Sequence, residues 1–434
     1  MQKDIAKHLK GKSILILGYG REGKSALKFV RAYLPDAKVA VADAKELDLK
    51  DVETFSGDDY LKHAKDFDVI IKSPGIPVKN NFSAENRAKI TSCIDLFLQF
   101  CQNPIIGVTG TKGKSTTSSL IHHILKECGM DAILAGNIGL SVFDIMDDIR
   151  SNTIITLELS CHQLEFIHRS PNIAVLLNLY EEHLDHYNSA EEYYDAKKNI
   201  FRYQQVDDTL IYGDIFQHAT EEEINEAVAG HKFNIAKDIE IPDKQIQTYL
   251  LGEHNRYDIR AAIAACEAIG LKREEILKAV ATFRGLPHRL EFIGEFQDIK
   301  FYNDSIATAQ EAVMSALKAI PDTDTIILGG MDRGLNYEPL AQFLRKTKLH
   351  NVILLPSTAE RLLTLINEAP HHLILYVVHD MDEAVRTAYK VTEKGHSCLL
   401  SPAAASYGFY ANFEKRGDDF RDKVHKYATL IKKA

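Results

Sequence analysis

Apolar residues in this chain gather into short unbroken runs, each closed by glycine, proline or an acidic residue and followed by a stretch with helical spacing. Unbroken runs, rather than alternating ones, mark strands covered on both faces, as in parallel sheets flanked by helices. SILILGYG, Ser13 to Gly20, predicts a strand entering a glycine turn, and GYGREGKSALKFV continues it into a helix. VAVADA predicts a second strand, ending at Asp43. FDVIIKSPGIP predicts a third, closed by the rigid turn Ser73-Pro74-Gly75-Ile76-Pro77. All three loops then lie at the C-terminal ends of parallel strands, the usual ligand crevice of such sheets. This first unit is expected to end near Ile94, with a linker before the next run.

A second strand–helix system begins at Ile105. Ile105 to Val108 reads as a strand, Thr109 to Gly113 as a turn of small residues, and a helix starts near Lys114 and Ser115. SNTIITLELS predicts a strand ending at Glu158, and NIAVLLNL another that leads into YEEHLDHY. SAEEYYDAKKNIFRY is an amphipathic helix by spacing. TLIYG and HKFNI read as further strands, and an alanine-rich helix is expected from Tyr257 to Ile269. GLPHR marks a hinge. Beyond it EFIGEF, TIILGG, NVILLP and LILYVV read as strands, FYNDS as a strand end before a helix near Ala307, and Met381 to Lys390 as a helix.

The fold class this predicts is α/β with three domains. The N-terminal one is Rossmann-like, the central one a P-loop ATPase-like domain with a parallel sheet, and the C-terminal one Rossmann-like again. A length of 434 residues agrees, at roughly 150 residues per domain. The divisions expected are 1–94, 95–285 and 286–434.

Composition narrows the class. A net charge of −9 argues against a nucleic-acid binder. The 6 cysteines are scattered with no CxxC pair, which suits a reducing compartment. There is no long apolar run and no signal peptide, so a cytoplasmic enzyme without membrane insertion is expected.

The chemistry concentrates at GVTGTKGKSTT. A glycine-rich turn between strand and helix points backbone N–H groups at one spot, where anionic oxygens are stabilised. Lys114 can reach terminal phosphates and Ser115 can ligate Mg²⁺. The spacing is irregular, because the general pattern puts its first glycine where Val108 stands. An ordinary glycine turn is the plain alternative. Glu158, at a strand end near this turn, is placed to hold the metal, against a solvated strand end. YEEHLDHY brings His183 and His186 together, either as an acidic surface loop or as a transition-metal site. Lys197 and Lys198 are not separated by spacing. In the first unit, GYGREG fits GxGxxG with Asp43 about 20 residues further on, which suits a dinucleotide, another nucleotide diphosphate or a plain turn.

GVTGTKGKSTT, GNIG, ELSCHQLE, LNLYEEHLDHY, LGEHNR, LPHRLE, NDSIAT, LLSPAAAS and NFEKRGDDF together resemble the Mur ligase family over nearly the whole chain. SPGIP and the last two segments are similar to its D-glutamate-adding branch. The resemblance implies an ATP-dependent ligase that activates a carboxylate as an acyl phosphate. The implied reaction adds D-glutamate to UDP-N-acetylmuramoyl-L-alanine during cytoplasmic peptidoglycan precursor synthesis, in a monomer. It implies ATP contacts at Gly110, Thr111, Gly113, Lys114, Ser115, Thr116, Asn255, Arg289 and Asp304. Two Mg²⁺ ions would be held by Ser115, Glu158, His183 and Lys197, the last carbamylated; Lys114, Glu158, His183 and Lys197 form the implied catalytic set. The implied UDP-substrate contacts are Gly20, Arg21, Glu22, Asp43, Gly75, Asn137, Ser160 and Gln163. Thr308, Arg333, Ser406 and Phe413 would meet D-glutamate. Three positions depart from the family pattern: Ile306 and Arg333 stand where lysine is usual, and Asp258 where asparagine is usual.

Other readings stay open on the residues alone. A relative such as a folylpolyglutamate-type ligase would take another amino acid or acceptor. A nicotinamide oxidoreductase would use GYGREG and Asp43 but leave the phosphate turn idle. A P-loop NTPase switch would turn over ATP with no amino acid present.

Overall fold

The computed structural model describes the chain except residues 79–81, 181–185, 214–223, 225, 240, 242–245, 251 and 432–434. The chain forms three α/β domains, each built on its own sheet, in two compact units. The first unit comprises 1–247 with 254–281, and the second 248–253 with 282–434.

The first unit holds two all-parallel sheets. One has strands β1 (Ile14–Leu17), β2 (Val39–Asp43), β3 (Glu53–Ser56), β4 (Val69–Lys72) and β5 (Ile90–Thr91), in the order β3-β2-β1-β4-β5. Every residue of β1 and β4 is buried, as unbroken apolar runs require when helices cover both faces. The other has β6 (Ile105–Thr109), β7 (Ala132–Gly136), β8 (Ile154–Glu158), β9 (Ile173–Leu176), β10 (Thr209–Tyr212) and β11 (His231–Asn234), in the order β11-β10-β9-β6-β8-β7. One apolar cluster runs through both, from Ile5 and Ile14 by way of Phe97 to Leu157 and Tyr193.

The linker expected after Ile94 is instead a helix, Cys93–Phe100, whose N-cap Ser92 accepts from the Asp95 N–H. Ile94, Leu96, Phe97 and Leu98 are all buried in the shared core, so an apolar helix stands where a linker was read. A second tie is polar. Lys72, buried at the end of β4, donates to Glu165 at 3.3 Å. Burial pushes its ammonium below the usual lysine range, against the raising effect of Glu165.

The second unit carries β12 (Glu291–Phe296), β13 (Ile299–Asn303), β14 (Thr323–Gly330), β15 (Asn351–Ser357), β16 (Ile374–Val377) and β17 (Ser397–Leu400), in the order β12-β13-β17-β14-β15-β16. Only β12 runs antiparallel. Alternate residues feed two cores: Ile326 and Leu328 join one, Ile327 the other. Two helix starts differ from the sequence reading. The alanine-rich helix spans Glu253–Ala268, so His254 and Asn255 stand in its first turn. The helix expected near Ala307 is Gln310–Ala319, because Asp304 to Ala309 form the turn that seats Asp304.

Candidate active site

The phosphate loop leaves β6 at Thr109 and enters the helix Lys114–Glu127. Gly113 is the N-cap with φ +87°, a left-handed conformation that favours glycine. A Cβ there would also run into the carboxylate of Asp258. Gly107, the out-of-place glycine, is part of the strand, where a side chain would collide with Pro171; Gly110 supplies the turn. Asn178 braces the loop, accepting from the Lys112 N–H at 2.9 Å and donating to the Lys112 carbonyl at 3.1 Å. Thr111 lies against the Tyr193 hydroxyl at 2.9 Å. Sequence reading missed Asn178; its signal was a polar residue closing the apolar run NIAVLLNL.

Two ammonium groups meet at one carbonyl. Lys114 Nζ donates to Gly110 O at 3.0 Å and to Thr111 O at 3.1 Å. Lys197 Nζ donates to the same Gly110 O at 2.9 Å. Lys197 is 2 % exposed, on the inner face of helix Ala190–Arg202 with Tyr194 and Phe201, whereas Lys198 is only half-buried. Packing therefore separates two lysines that helical spacing left equal.

Parallel pairing sets Val108 beside Glu158. Glu158 is buried; its Oε1 accepts from Asn137 Nδ2 at 2.6 Å, and its Oε2 has no hydrogen-bond partner among the described residues. A buried carboxylate oxygen left bare beside a phosphate loop suits a cation. Asn137 thus orients Glu158. Ser115 is half-buried and Thr116 buried at the helix start. His183 lies outside the described residues. His186 packs on His162, ring centroids 4.0 Å apart.

A cavity of about 350 Å³ in the first unit is lined by Gly20, Arg21, Glu22, Asp43, Gly75, Asn137 and Gln163, seven of the eight substrate positions marked in the sequence. Ser160, the eighth, caps the short helix Cys161–Leu164 reciprocally with Gln163. Gln163 Nε2 donates to Glu22 Oε1 at 2.7 Å, while Glu22 Oε2 has no hydrogen-bond partner among the described residues. Burial pushes the Glu22 carboxyl up. Arg21 is a strut, donating to the carbonyls of Gly139 at 2.7 Å and Gly136 at 2.8 Å. Asp43 accepts from the Tyr19 N–H at 2.7 Å and so shapes the glycine turn. Close packing explains Gly23, where a Cβ would meet the Gly18 carbonyl.

In the second unit Asp304 is buried, accepting from Ser401 Oγ at 2.8 Å and the Leu290 N–H at 3.2 Å. Arg289 is exposed and its charge acts on Asp304. Burial nevertheless outweighs these contacts and pushes the Asp304 carboxyl up to about 6 from an ordinary 3.8. A raised folded value means that Asp304 favours folding below pH 3.8 and that this contribution is lost as pH rises to about 6. At about 1.4 kcal/mol per pH unit, the loss is on the order of 3 kcal/mol. Asp304→Asn should therefore gain thermal stability over the parent between pH 4 and 6.5, with a constant difference above; melting curves across that range check it.

Ser406 is buried and lines a cavity of about 200 Å³ with Gly329, Gly330, Tyr410 and Arg416. Arg416, 1 % exposed, donates to Ser305 Oγ, Ser305 O and Ala404 O, all neutral acceptors. Thr308 and Arg333 are exposed and outside this cavity, and Phe413 contacts His288, ring centroids 6.2 Å apart. The structure thus gathers Ser406 but not the other three around the cavity.

Residues 108–266 match the Mur ligase middle domain, and residues 288–404 match the Mur ligase glutamate ligase domain. The chain belongs to the Mur ligase family. It is 32 % identical to the UDP-N-acetylmuramoylalanine–D-glutamate ligase of Clostridium kluyveri, over 97 % of this chain and 98 % of that one. It is 33 % identical to the enzyme of that name from Geobacillus kaustophilus, over 95 % and 97 %. Among solved Mur ligases, a UDP-N-acetylmuramoyl-L-alanyl-D-glutamate–2,6-diaminopimelate ligase shares the fold, with a TM-score of 0.59 at 19 % identity, over 96 % of this chain and 93 % of that one. So does UDP-N-acetylmuramoylalanyl-D-glutamyl-2,6-diaminopimelate–D-alanyl-D-alanyl ligase from Acinetobacter baumannii, at 0.55 and 16 %, over 97 % and 92 %. No described helix of this Mur ligase is long and apolar enough to cross a membrane.

Proposed function

We propose that this chain is an ATP-dependent acid–amino-acid ligase that joins D-glutamate to UDP-N-acetylmuramoyl-L-alanine, releasing ADP and phosphate. The observation that carries the reading is the meeting of Lys114 and Lys197 at the Gly110 carbonyl, on the loop that follows the strand paired with Glu158. The Lys114 ammonium and a cation-seeking carboxylate at a phosphate loop suit phosphoryl transfer from ATP to a carboxylate, with Lys197 buried beside them. A carboxylate has no good leaving group; phosphorylation supplies one, and the amine of D-glutamate then displaces phosphate.

Lys114 would neutralise charge on the transferred phosphoryl group, with the Gly110–Thr116 backbone cradling the phosphates. Magnesium, held by Ser115, Glu158, His183 and a carbamylated Lys197, would supply further charge neutralisation. The cavity around Glu22 and Gln163 would take the UDP part of the acceptor, with Glu22 Oε2 as a polar anchor. Asn255 is assigned to ATP in the first unit, and Arg289 and Asp304 in the second. Ser406 and the buried Arg416 would receive D-glutamate, with Thr308, Arg333 and Phe413 as further contacts; a guanidinium held by neutral acceptors suits a carboxylate. The enzyme is placed in the cytoplasm as a monomer.

Phosphate release should require both UDP-N-acetylmuramoyl-L-alanine and D-glutamate. An amino-acid panel read as phosphate release is expected to single out D-glutamate. Equal release without any amino acid would sink the ligase reading, and a preference for another amino acid would move the chain elsewhere in the family.

A further inference from the structure

The cavity of about 740 Å³ at the other end of the N-terminal sheet has no part in this chemistry. Lys3, Lys7, Lys10, Lys12 and Lys38 line it. The helix Gln2–Leu9 buries Ile5 and Leu9 completely, which leaves Lys3 and Lys7 on its exposed face, with Lys10 just beyond its end. Lys12 follows the Gly11 turn, and Lys38 precedes β2. Among the described residues, none of these ammonium groups enters an ion pair; Lys38 lies over the Phe67 ring, 5.5 Å from its centroid. Two acids share the groove. Asp68 is occupied by Ser13, whose N–H and hydroxyl donate to it at 2.8 and 2.7 Å, and Asp36 is exposed. Five lysines against two aspartates make a local positive field on a chain of net charge −9.

We propose that this groove binds a small polyphosphate anion at a site separate from the phosphate loop. The shape favours a small ligand. The volume falls in the range of about 300–1,000 Å³ usual for such sites, and its lysines come from the first helix, the turn after it and the start of β2, so that one compact anion can meet several of them. Tyr33, 39 % exposed, is fixed on one face by Phe29, with ring centroids 4.9 Å apart, and so offers a stacking surface beside the lysines for a ligand that also carries a base. The inference is independent of the ligase reading, because no lysine in it touches the active site.

The test uses inorganic tripolyphosphate and full-length protein carrying Lys114→Ala, so that the phosphate loop lacks its ammonium. Calorimetry at low ionic strength should report binding at one site per chain. Adding Lys7→Gln, Lys10→Gln and Lys38→Gln, all exposed positions, should weaken it about tenfold or more and flatten its salt dependence. The same three changes in the otherwise unaltered enzyme should leave turnover within about twofold, since they lie outside the active site. Unchanged tripolyphosphate affinity in the triple variant, or no binding to the parent, overturns the proposal. Sedimentation with phosphatidylglycerol vesicles tests the flat alternative: lysine-dependent vesicle binding that tripolyphosphate fails to displace also overturns it.

Discussion

Lys114→Ala is expected to lower turnover by at least about 100-fold while the protein stays folded. The side chain stands at the first position of the helix Lys114–Glu127 and is half-buried, so truncation opens no large core cavity. Its ammonium donates to Gly110 O and Thr111 O, carbonyls of the loop that curls around it. The cost in stability is therefore a pair of hydrogen bonds, on the order of 1–2 kcal/mol, and Asn178 still braces the loop from below. The cost in rate is larger, because the charge developing on a transferred phosphoryl group loses the cation aimed at it. Phosphate release under saturating substrates, set beside a chemical denaturation curve, separates the two effects. Parental turnover in a folded variant would remove Lys114 from the reaction.

Strand and loop placement was legible because parallel strands covered on both faces advertise themselves as unbroken apolar runs. SILIL, VIIK and IIGVT became β1, β4 and β6 with the glycine turns where the runs stop. The cavity that gathers Gly20, Glu22, Asp43, Gly75, Asn137 and Gln163 follows from that regularity, since loops at the same end of parallel strands converge. What escaped was tertiary. Nothing local says that Asn137 is spent on Glu158, that Arg21 props the Gly136 and Gly139 carbonyls, or that Asp258 sits against Gly113. Each partner is distant in sequence. The helix Cys93–Phe100 was misread as a linker because its apolar residues pack into a core shared by two sheets, a fact its own short sequence does not carry. In NFEKRGDDF nothing separates Arg416 as a contact for an acidic substrate from Arg416 as a surface or capping residue, yet it is among the most buried large side chains of the described residues.

Lys197→Ala should abolish activity, with a loss of at least about 100-fold, whereas Lys198→Ala should stay within about threefold. Helical spacing made these neighbours equivalent; burial does not. Lys197 is 2 % exposed, donates to Gly110 O and lies 5.0 Å from the centroid of the Tyr193 ring, while Lys198 is only half-buried. The bonds of Lys114 and Lys197 to one carbonyl hold the two side-chain nitrogens within about 6 Å of each other. Carbamylation, as proposed above, would turn the Lys197 cation into an oxygen-bearing anion suited to a divalent metal. Two readouts separate that role from mere support of the loop. A small carboxylate should partly restore Lys197→Ala, because it can fill the space left and carry the same charge, and carbon-13 bicarbonate should give a carbamate resonance that Lys197→Ala lacks. A variant that melts at the parental temperature, is inactive and is rescued by acetate but not by methylammonium would assign the anion. Rescue by the amine alone would show that Lys197 works as a cation, and an inactive Lys198→Ala beside an active Lys197→Ala would move the assignment to its neighbour.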